Sequence, residues 1–373
     1  MIDWEIAKMV TVLHYVSIMN RGGQETFIMN VFRSIDRRKV TFDFLCTLSE
    51  KGDYDDEIDA LGGNIYSLEL GYCKVQLMDR LYALSAFLKK HKGEYDVFHI
   101  HTQHAMDGYL NAIVAKKSGI KKVVVHSHST STLYHPLLHY FFRPFLNTLK
   151  IDKFACSDMA GEWLFGKGKK YRIIRNGVNV EAFSYSNTTR DKIRLENGWN
   201  DYTIIGHVGS MTYPKNHEFI LDVFSEYIKI NPKSILVLIG TGPLKNVVEN
   251  KIENLKLKKS VILMGSRNDV NLLDQGLDLF LFPSRYEGLP VVLVEAQCTG
   301  VNCLISDTIT PEVDVTENLY RLSLEEKAEC WAKKIDEIIT STSERTSMSN
   351  AVKKAGFDIK DTALELKKFY CDN

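Results

Sequence analysis

Short runs rich in β-branched and aromatic residues alternate with longer runs of helical period along the chain. In the first half, residues 10–16, 42–47, 96–101 and 122–126 read as strands, and 23–35, 74–91 and 106–117 read as helices between them. The pattern then restarts. Residues 203–208, 234–239, 261–264, 278–282 and 302–305 read as strands, and 217–230, 243–257, 270–275 and 289–298 as helices. Such alternation implies βαβ units, so the expected class is α/β with two doubly wound, Rossmann-like parallel-sheet domains. The polar stretch 178–200, with Asn187-Thr188-Thr189-Arg190, reads as the boundary between them. Open α/β sheets bind ligands outside the C-terminal ends of their strands. Two sheets set face to face would form one cleft, and the chemistry is expected in loops that follow strands.

Composition narrows the classes. The chain has 373 residues, too many for one ordinary core. With 45% hydrophobic and 25% charged residues, disorder of the whole chain is excluded. Lys+Arg and Asp+Glu balance at 47 each, which leaves no global positive field to hold nucleic acid. The seven cysteines have no metal-finger or redox spacing, and Cys46, Cys156 and Cys303 sit in apolar runs as small hydrophobes, which fits a reducing cytosol. No apolar run reaches the roughly 20 residues of a membrane helix. Residues 1–8 read as a loose leader without the pattern of a signal peptide.

Several loops carry residue types suited to a charged, hydroxylated ligand. Gly22 and Gly23 follow the first strand and open a helix, where backbone N–H groups can face an anion; a plain strand-to-helix turn explains them equally well. His126 and His128 close the strand at 122–126, with His99, His101 and His104 near the end of the preceding strand. These rings can orient a phosphate or hydroxyl. A metal there lacks a third ligand nearby in sequence. The loop Gly209-Ser210-Met211-Thr212-Tyr213-Pro214-Lys215 places a lysine beside backbone amides, as a diphosphate needs.

The most informative run is Ser284-Arg285-Tyr286-Glu287-Gly288-Leu289-Pro290, continuing to Glu295-Ala296. Pro290 suits a first helical turn. Glu295 then lies on an otherwise apolar helix, where a carboxylate needs partners such as ribose or sugar hydroxyls. Asp53, Asp55, Asp56 and Glu57 are acids at a helix start and need no metal. Residues 133–149 are aromatic-rich, interrupted by Arg143 and followed by Lys150. They read as a core helix pair, interrupted by Pro136 and Pro144, with an interfacial, lipid-facing element as the alternative.

On these residues the chain resembles glycosyltransferase family 4, retaining enzymes of the GT-B fold, and bacterial exopolysaccharide and capsule enzymes in particular. Phe282-Pro283-Ser284-Arg285-Tyr286-Glu287 through Glu295 matches that family's paired-glutamate signature. The resemblance implies that Glu287 lies by the donor sugar, with Gly288, Leu289 and Pro290 beside it, and that Glu295 holds the ribose. It places Gly22 and Gly23 at the donor phosphates and His128 near the reacting sugar. Ile174-Arg175-Asn176-Gly177-Val178 resembles the interdomain hinge, and Thr241-Gly242 the loop near the nucleotide. One departure concerns position 210, where the family carries an arginine and this chain has Ser210; Lys215 is kept, and Arg267 or Arg285 are the cations available as substitutes. The change is expected to weaken phosphate binding.

The resemblance thus implies an acceptor-side domain over 1–180, with helix 358–373 packing back on it, and a donor-binding domain over 181–357. The expected activity is retaining transfer of a hexose or N-acetylhexosamine from a nucleotide-diphosphate sugar, UDP-linked, to a glycan or lipid-linked acceptor. No metal or other cofactor is expected. The expected place is the cytoplasm, peripherally at the inner face of the membrane. The alternatives are a non-catalytic sugar-nucleotide-binding subunit and a nucleotide-sugar epimerase.

Overall fold

The structure is a computed structural model that describes residues 9–68, 77–130, 135–341 and 344–372. The leader at 1–8, the start of the helix expected at 74–91 and residues 133–134 lie outside the described residues. The chain divides into two compact units, one running to Gly177 and resuming at Ile359, the other spanning Val178–Asp358.

The first unit holds β1 (Val10–Val16), β2 (Val40–Cys46), β3 (Ile65–Ser67), β4 (Val97–Thr102), β5 (Lys122–Ser127), β6 (Asp152–Ala155) and β7 (Arg172–Ile173). They form one parallel sheet in the order β3-β2-β1-β4-β5-β6-β7. Side chains alternate between the two faces of a strand, and both faces here are covered. Val12, Phe42, Phe44, Val97 and Val124 pack under helices Gly23–Ser34 and Ile359–Cys371. Leu13, Leu45, Phe98, Val123 and Val125 pack on the other side with Leu84, Ala112 and Leu164. The last helix passes so close to Gly177 that a Cβ there would sit 2.7 Å from the Ile359 α-carbon, which explains the glycine in Ile174–Val178.

The second unit holds β8 (Thr203–Val208), β9 (Ser234–Ile239), β10 (Val261–Gly265), β11 (Leu279–Phe282), β12 (Asn302–Ser306) and β13 (Leu319–Leu322). They are again all parallel, in the order β10-β9-β8-β11-β12-β13. Ile204, Val237, Phe280 and Cys303 fill one face, and Ile205, Leu236, Leu281 and Leu304 the other.

One reading of the sequence is refined and one corrected. The supposed boundary stretch contains a helix, Asn187–Glu196, that belongs to the second unit. It has little apolar surface to announce it. Ser186 caps it, and Arg190 and Arg194 bind the carbonyls of Gln275, Gly276 and Leu277 and the carboxylate of Asp278. The aromatic-rich stretch is not an interrupted core pair. It is one helix, Pro136–Thr148, with Pro136 in its first turn, where the missing N–H costs nothing, and Pro144 inside it. Leu137 is 84% exposed and Phe141 61%, with Tyr140 and Phe145 also exposed.

Candidate donor and acceptor sites

In each sheet the strand order reverses beside the first strand of the unit, between β1 and β4 and between β8 and β11. Such a switch point leaves a crevice at the C-terminal ends of the strands.

In the second unit the loops after β8 and β11 meet there. The Arg285 amide donates to the Pro214 carbonyl at 2.7 Å, and its guanidinium donates to the Tyr213 carbonyl at 2.6 Å while lying over the Tyr213 ring. This seam brings Lys215 Nζ within 2.8 Å of Glu287 Oε1, with only 16% and 13% of the two side chains exposed. The ammonium also sits 4.7 Å from the Phe282 ring centroid. Two residues remote in sequence, assigned separately to phosphate and sugar, are therefore one ion pair. The contact is an ion pair by distance, with Glu287 Oε1 buried and without a well-aligned hydrogen bond.

Beside the pair, the loop after β9 lies backbone to backbone on the loop after β8. Met211 N donates to Thr241 O at 3.0 Å, and Leu244 N to Met211 O at 3.0 Å. A Cβ on Gly240 would sit 2.1 Å from Gly209 O, and one on Gly242 would sit 2.7 Å from Met211 O. Gly240 also has φ +133, outside the range of ordinary side chains. The Gly240-Thr241-Gly242 motif is thus required by packing, and it leaves Thr241 exposed at the strand ends.

Ser210 is exposed, and its hydroxyl lies 3.4 Å from the Thr212 hydroxyl. Of its two possible substitutes, Arg267 is exposed and bound by both nitrogens to Asp269, whereas Arg285 is fixed on the Lys215 loop. Helix Val291–Cys298 begins one residue after Pro290, which is its N-cap with ψ 93 rather than a first-turn residue. Gly288 and Leu289 form the turn that leads to it. Glu295 lies in that helix, half-buried, and burial pushes its carboxyl up to about 7. Asp274 is fully buried with neither carboxylate oxygen hydrogen-bonded, and burial, with Glu295 nearby, holds its pKa well above the usual range. Sequence reading missed Asp274, which has no motif around it.

In the first unit Gly22 is the N-cap of helix Gly23–Ser34, with extended backbone. The first-turn carboxylate of Glu25 folds back toward Gly22, and burial raises its pKa to about 7. An anion arriving at these amides has to displace a resident carboxyl or meet it protonated. The acids at 53–57 are engaged by the protein: Arg21 N donates to Asp53, Gly52 N to Asp55, Lys51 pairs with Asp56, and Arg33 with Glu57.

The histidines depart most from expectation. Register sets His14 of β1 against His99 of β4, and His101 of β4 against His126 of β5, on the face under helices Gly23–Ser34 and Ile359–Cys371. His128 follows β5 and is half-buried. His14 Nδ1 lies 2.9 Å from His101 Nε2, His101 Nδ1 2.9 Å from His128 Nε2, and His99 Nε2 3.2 Å from His126 Nδ1. The other nitrogen of His99 meets the Tyr370 hydroxyl at 2.7 Å. A third ligand for the 126/128 pair, absent from the local sequence, is therefore present in space. Burial pulls His14 and His128 down to about 3 and holds His99, His101 and His126 well below the usual imidazole range. His104 stands apart and caps helix Ala105–Lys117.

Comparison with known proteins supplies the family. Residues 189–355 match the family model described as Glycosyl transferases group 1, and residues 21–182 match that of Glycosyltransferase Family 4. EpsF of Bacillus subtilis, named as a glycosyltransferase, is 35% identical over 87% of this chain and 86% of its own length. An Escherichia coli UDP-Gal:alpha-D-GlcNAc-diphosphoundecaprenol alpha-1,3-galactosyltransferase is 29% identical over 62% of each chain. The capsular polysaccharide biosynthesis glycosyltransferase CapH of Staphylococcus aureus is 25% identical over 97% and 99%. Among solved structures, HepE of Anabaena in complex with UDP and glucose superposes with a TM-score of 0.78 at 17% identity, covering 96% and 98%.

Proposed function

The chain belongs to glycosyltransferase family 4 and is a glycosyltransferase, and from that premise we propose that it transfers a hexose or N-acetylhexosamine, with retention, from a UDP-sugar to a lipid-linked or glycan acceptor during capsule or exopolysaccharide synthesis. The observation that carries the donor side is the Lys215–Glu287 pair at the switch point of the second sheet. Lys215, with Arg285, neutralises the diphosphate as charge grows on it. Glu287 holds Lys215 and the donor sugar hydroxyls, and Glu295 accepts from the ribose. Gly288, Leu289 and Pro290 form the turn under the sugar. The bond from the anomeric carbon to the diphosphate oxygen breaks, and the acceptor hydroxyl oxygen bonds to that carbon on the same face. Its proton passes to the departing phosphate. Within the first unit, the family resemblance assigns Gly22 and Gly23 to phosphate and His128 to the acceptor side.

The named substrates of the relatives support this reading: UDP-Gal and a diphosphoundecaprenol-linked acceptor for the Escherichia coli enzyme, a capsular polysaccharide for CapH. Among the described residues no helix is long and apolar enough to cross a membrane. The exposed Leu137, Tyr140, Phe141 and Phe145 on helix Pro136–Thr148, with Arg143 beside them, suit peripheral contact with the membrane that carries such an acceptor.

The test is a thermal-shift screen of UDP-, GDP- and ADP-sugars, followed by transfer to a polyprenyl-diphosphate-linked GlcNAc and NMR of the new anomeric centre. Stabilisation by a UDP-sugar and an α-linked product from an α-linked donor support the proposal; an inverted linkage removes retention. Ser210, which leaves that loop one cation short, favours a second reading as a non-catalytic sugar-nucleotide binder. Donor binding without transfer to any acceptor of a lipid extract selects it.

A further inference from the structure

We propose that His101, His126 and His128 form a binding site for one divalent transition-metal ion of the zinc or cobalt type. Each of the three offers a ring nitrogen, and these atoms lie within 4.8 Å of one another. A tetrahedral site with metal–nitrogen bonds of about 2.0–2.1 Å places its ligand nitrogens about 3.4 Å apart, so closure needs only small shifts of the rings. A second triad, His14, His99 and His101, is equally close-set. The hydrogen bonds decide between the two. His101, common to both, has each nitrogen engaged, by His14 and His128, and so does His99, by Tyr370 and His126, which leaves the second triad only His14 Nε2 open. His126 Nε2 and His128 Nδ1 are buried and have no hydrogen-bond partner.

Tautomer counting explains those orphans. A neutral imidazole has one N–H and one lone pair. In the run His14–His101–His128, either direction of donation leaves one lone pair and one N–H unmet at its two ends. Buried groups left in that state cost free energy. An ion gives the buried, unpartnered Nε2 of His126 a partner, while His14 Nε2 stays open. His126 then coordinates through Nε2 and donates Nδ1–H to His99, and His101 coordinates through Nδ1, giving up its hydrogen bond with His128, and donates Nε2–H to His14. Histidine ligands are commonly oriented by such a donated second N–H. His128 is half-buried, which gives the ion a route in, and three protein ligands leave one tetrahedral position for an oxygen. The set contains no thiolate or carboxylate, which suits zinc or cobalt over magnesium or calcium.

The test uses the full-length chain, stripped with a chelator and titrated with Co2+ and then Zn2+ with no donor or acceptor present, so its result stands apart from transfer activity. The expected result is one equivalent bound per chain, visible d–d bands of tetrahedral cobalt, and a raised melting temperature. His126→Gln and His128→Gln each weaken binding at least about tenfold, while His91→Gln, on a histidine paired with Glu94 away from the cluster, leaves it unchanged. His128 stands at the strand end, so its variant carries the test if His126→Gln fails to fold. The proposal is overturned if the wild-type chain retains no cobalt, or if His128→Gln binds it as tightly as wild type.

Discussion

Replacing Lys215 by methionine keeps most of the side-chain volume and removes the ammonium that lies 2.8 Å from Glu287 Oε1. Two effects separate. Glu287, with 13% of its side chain exposed, loses its counter-ion. Removing one partner of a buried pair costs about 3–5 kcal/mol, and with partial solvation about 1–3 kcal/mol is expected here. The donor diphosphate loses a charge-assisted hydrogen bond worth about 1.5–3 kcal/mol, or about 10- to 150-fold in affinity. Calorimetry with UDP reads the second effect and denaturant unfolding the first. The double variant Lys215→Met/Glu287→Gln isolates them, because neutralising the orphaned carboxylate returns most of the stability and none of the affinity. The reasoning fails if Lys215→Met binds UDP within about threefold of wild type, or if the double variant recovers binding.

Further outcomes follow from the same geometry. Glu295, raised to about 7 by burial, holds its proton more tightly in the folded chain. Its contribution to stability is therefore full below about pH 4.5 and lost as pH rises to about 7, a change of about 3 kcal/mol that Glu295→Gln abolishes in unfolding titrations. Because ribose hydroxyls favour the carboxylate, UDP affinity rises across the same window and levels off above it; a flat profile contradicts the ribose role. Gly240→Ala, with φ +133 and a Cβ 2.1 Å from Gly209 O, destabilises the chain by about 2–4 kcal/mol in thermal unfolding. Ser210→Arg adds the missing cation at an exposed loop position and tightens UDP binding by about two- to fivefold in calorimetry. Phe141→Asp lowers co-sedimentation with anionic vesicles while UDP binding stays unchanged.

Long strands and helices were legible because each carries its own periodic signal. Val10–Val16, Thr203–Val208, Ser234–Ile239 and His217–Ile230 stand where the sequence puts them. Arg172–Ile173, two residues long, has no period to read, and Asp152–Ala155 and Leu319–Leu322 are little longer. Helix Asn187–Glu196 was hidden because arginine-to-carbonyl bonds hold it in place of an apolar stripe. The exposed face of Pro136–Thr148 was misread because aromatic content alone does not say which side of a helix is covered. The donor-side residues could be named individually from their motifs. Their pairing could not, since it depends on β8 lying next to β11. The histidine cluster is the clearest case. His14, His101 and His128 are remote in sequence, and only the register of three parallel strands brings them within hydrogen-bond distance.

The central claim, that the loops after β8 and β11 with helix Val291–Cys298 grip a nucleotide diphosphate sugar, is tested most directly by a structure of the chain with a bound UDP-sugar. The account predicts diphosphate oxygens within about 3 Å of Lys215 Nζ and ribose hydroxyls donating to Glu295. A nucleotide bound with its phosphates away from Lys215, or with Glu295 turned from the ribose, contradicts it.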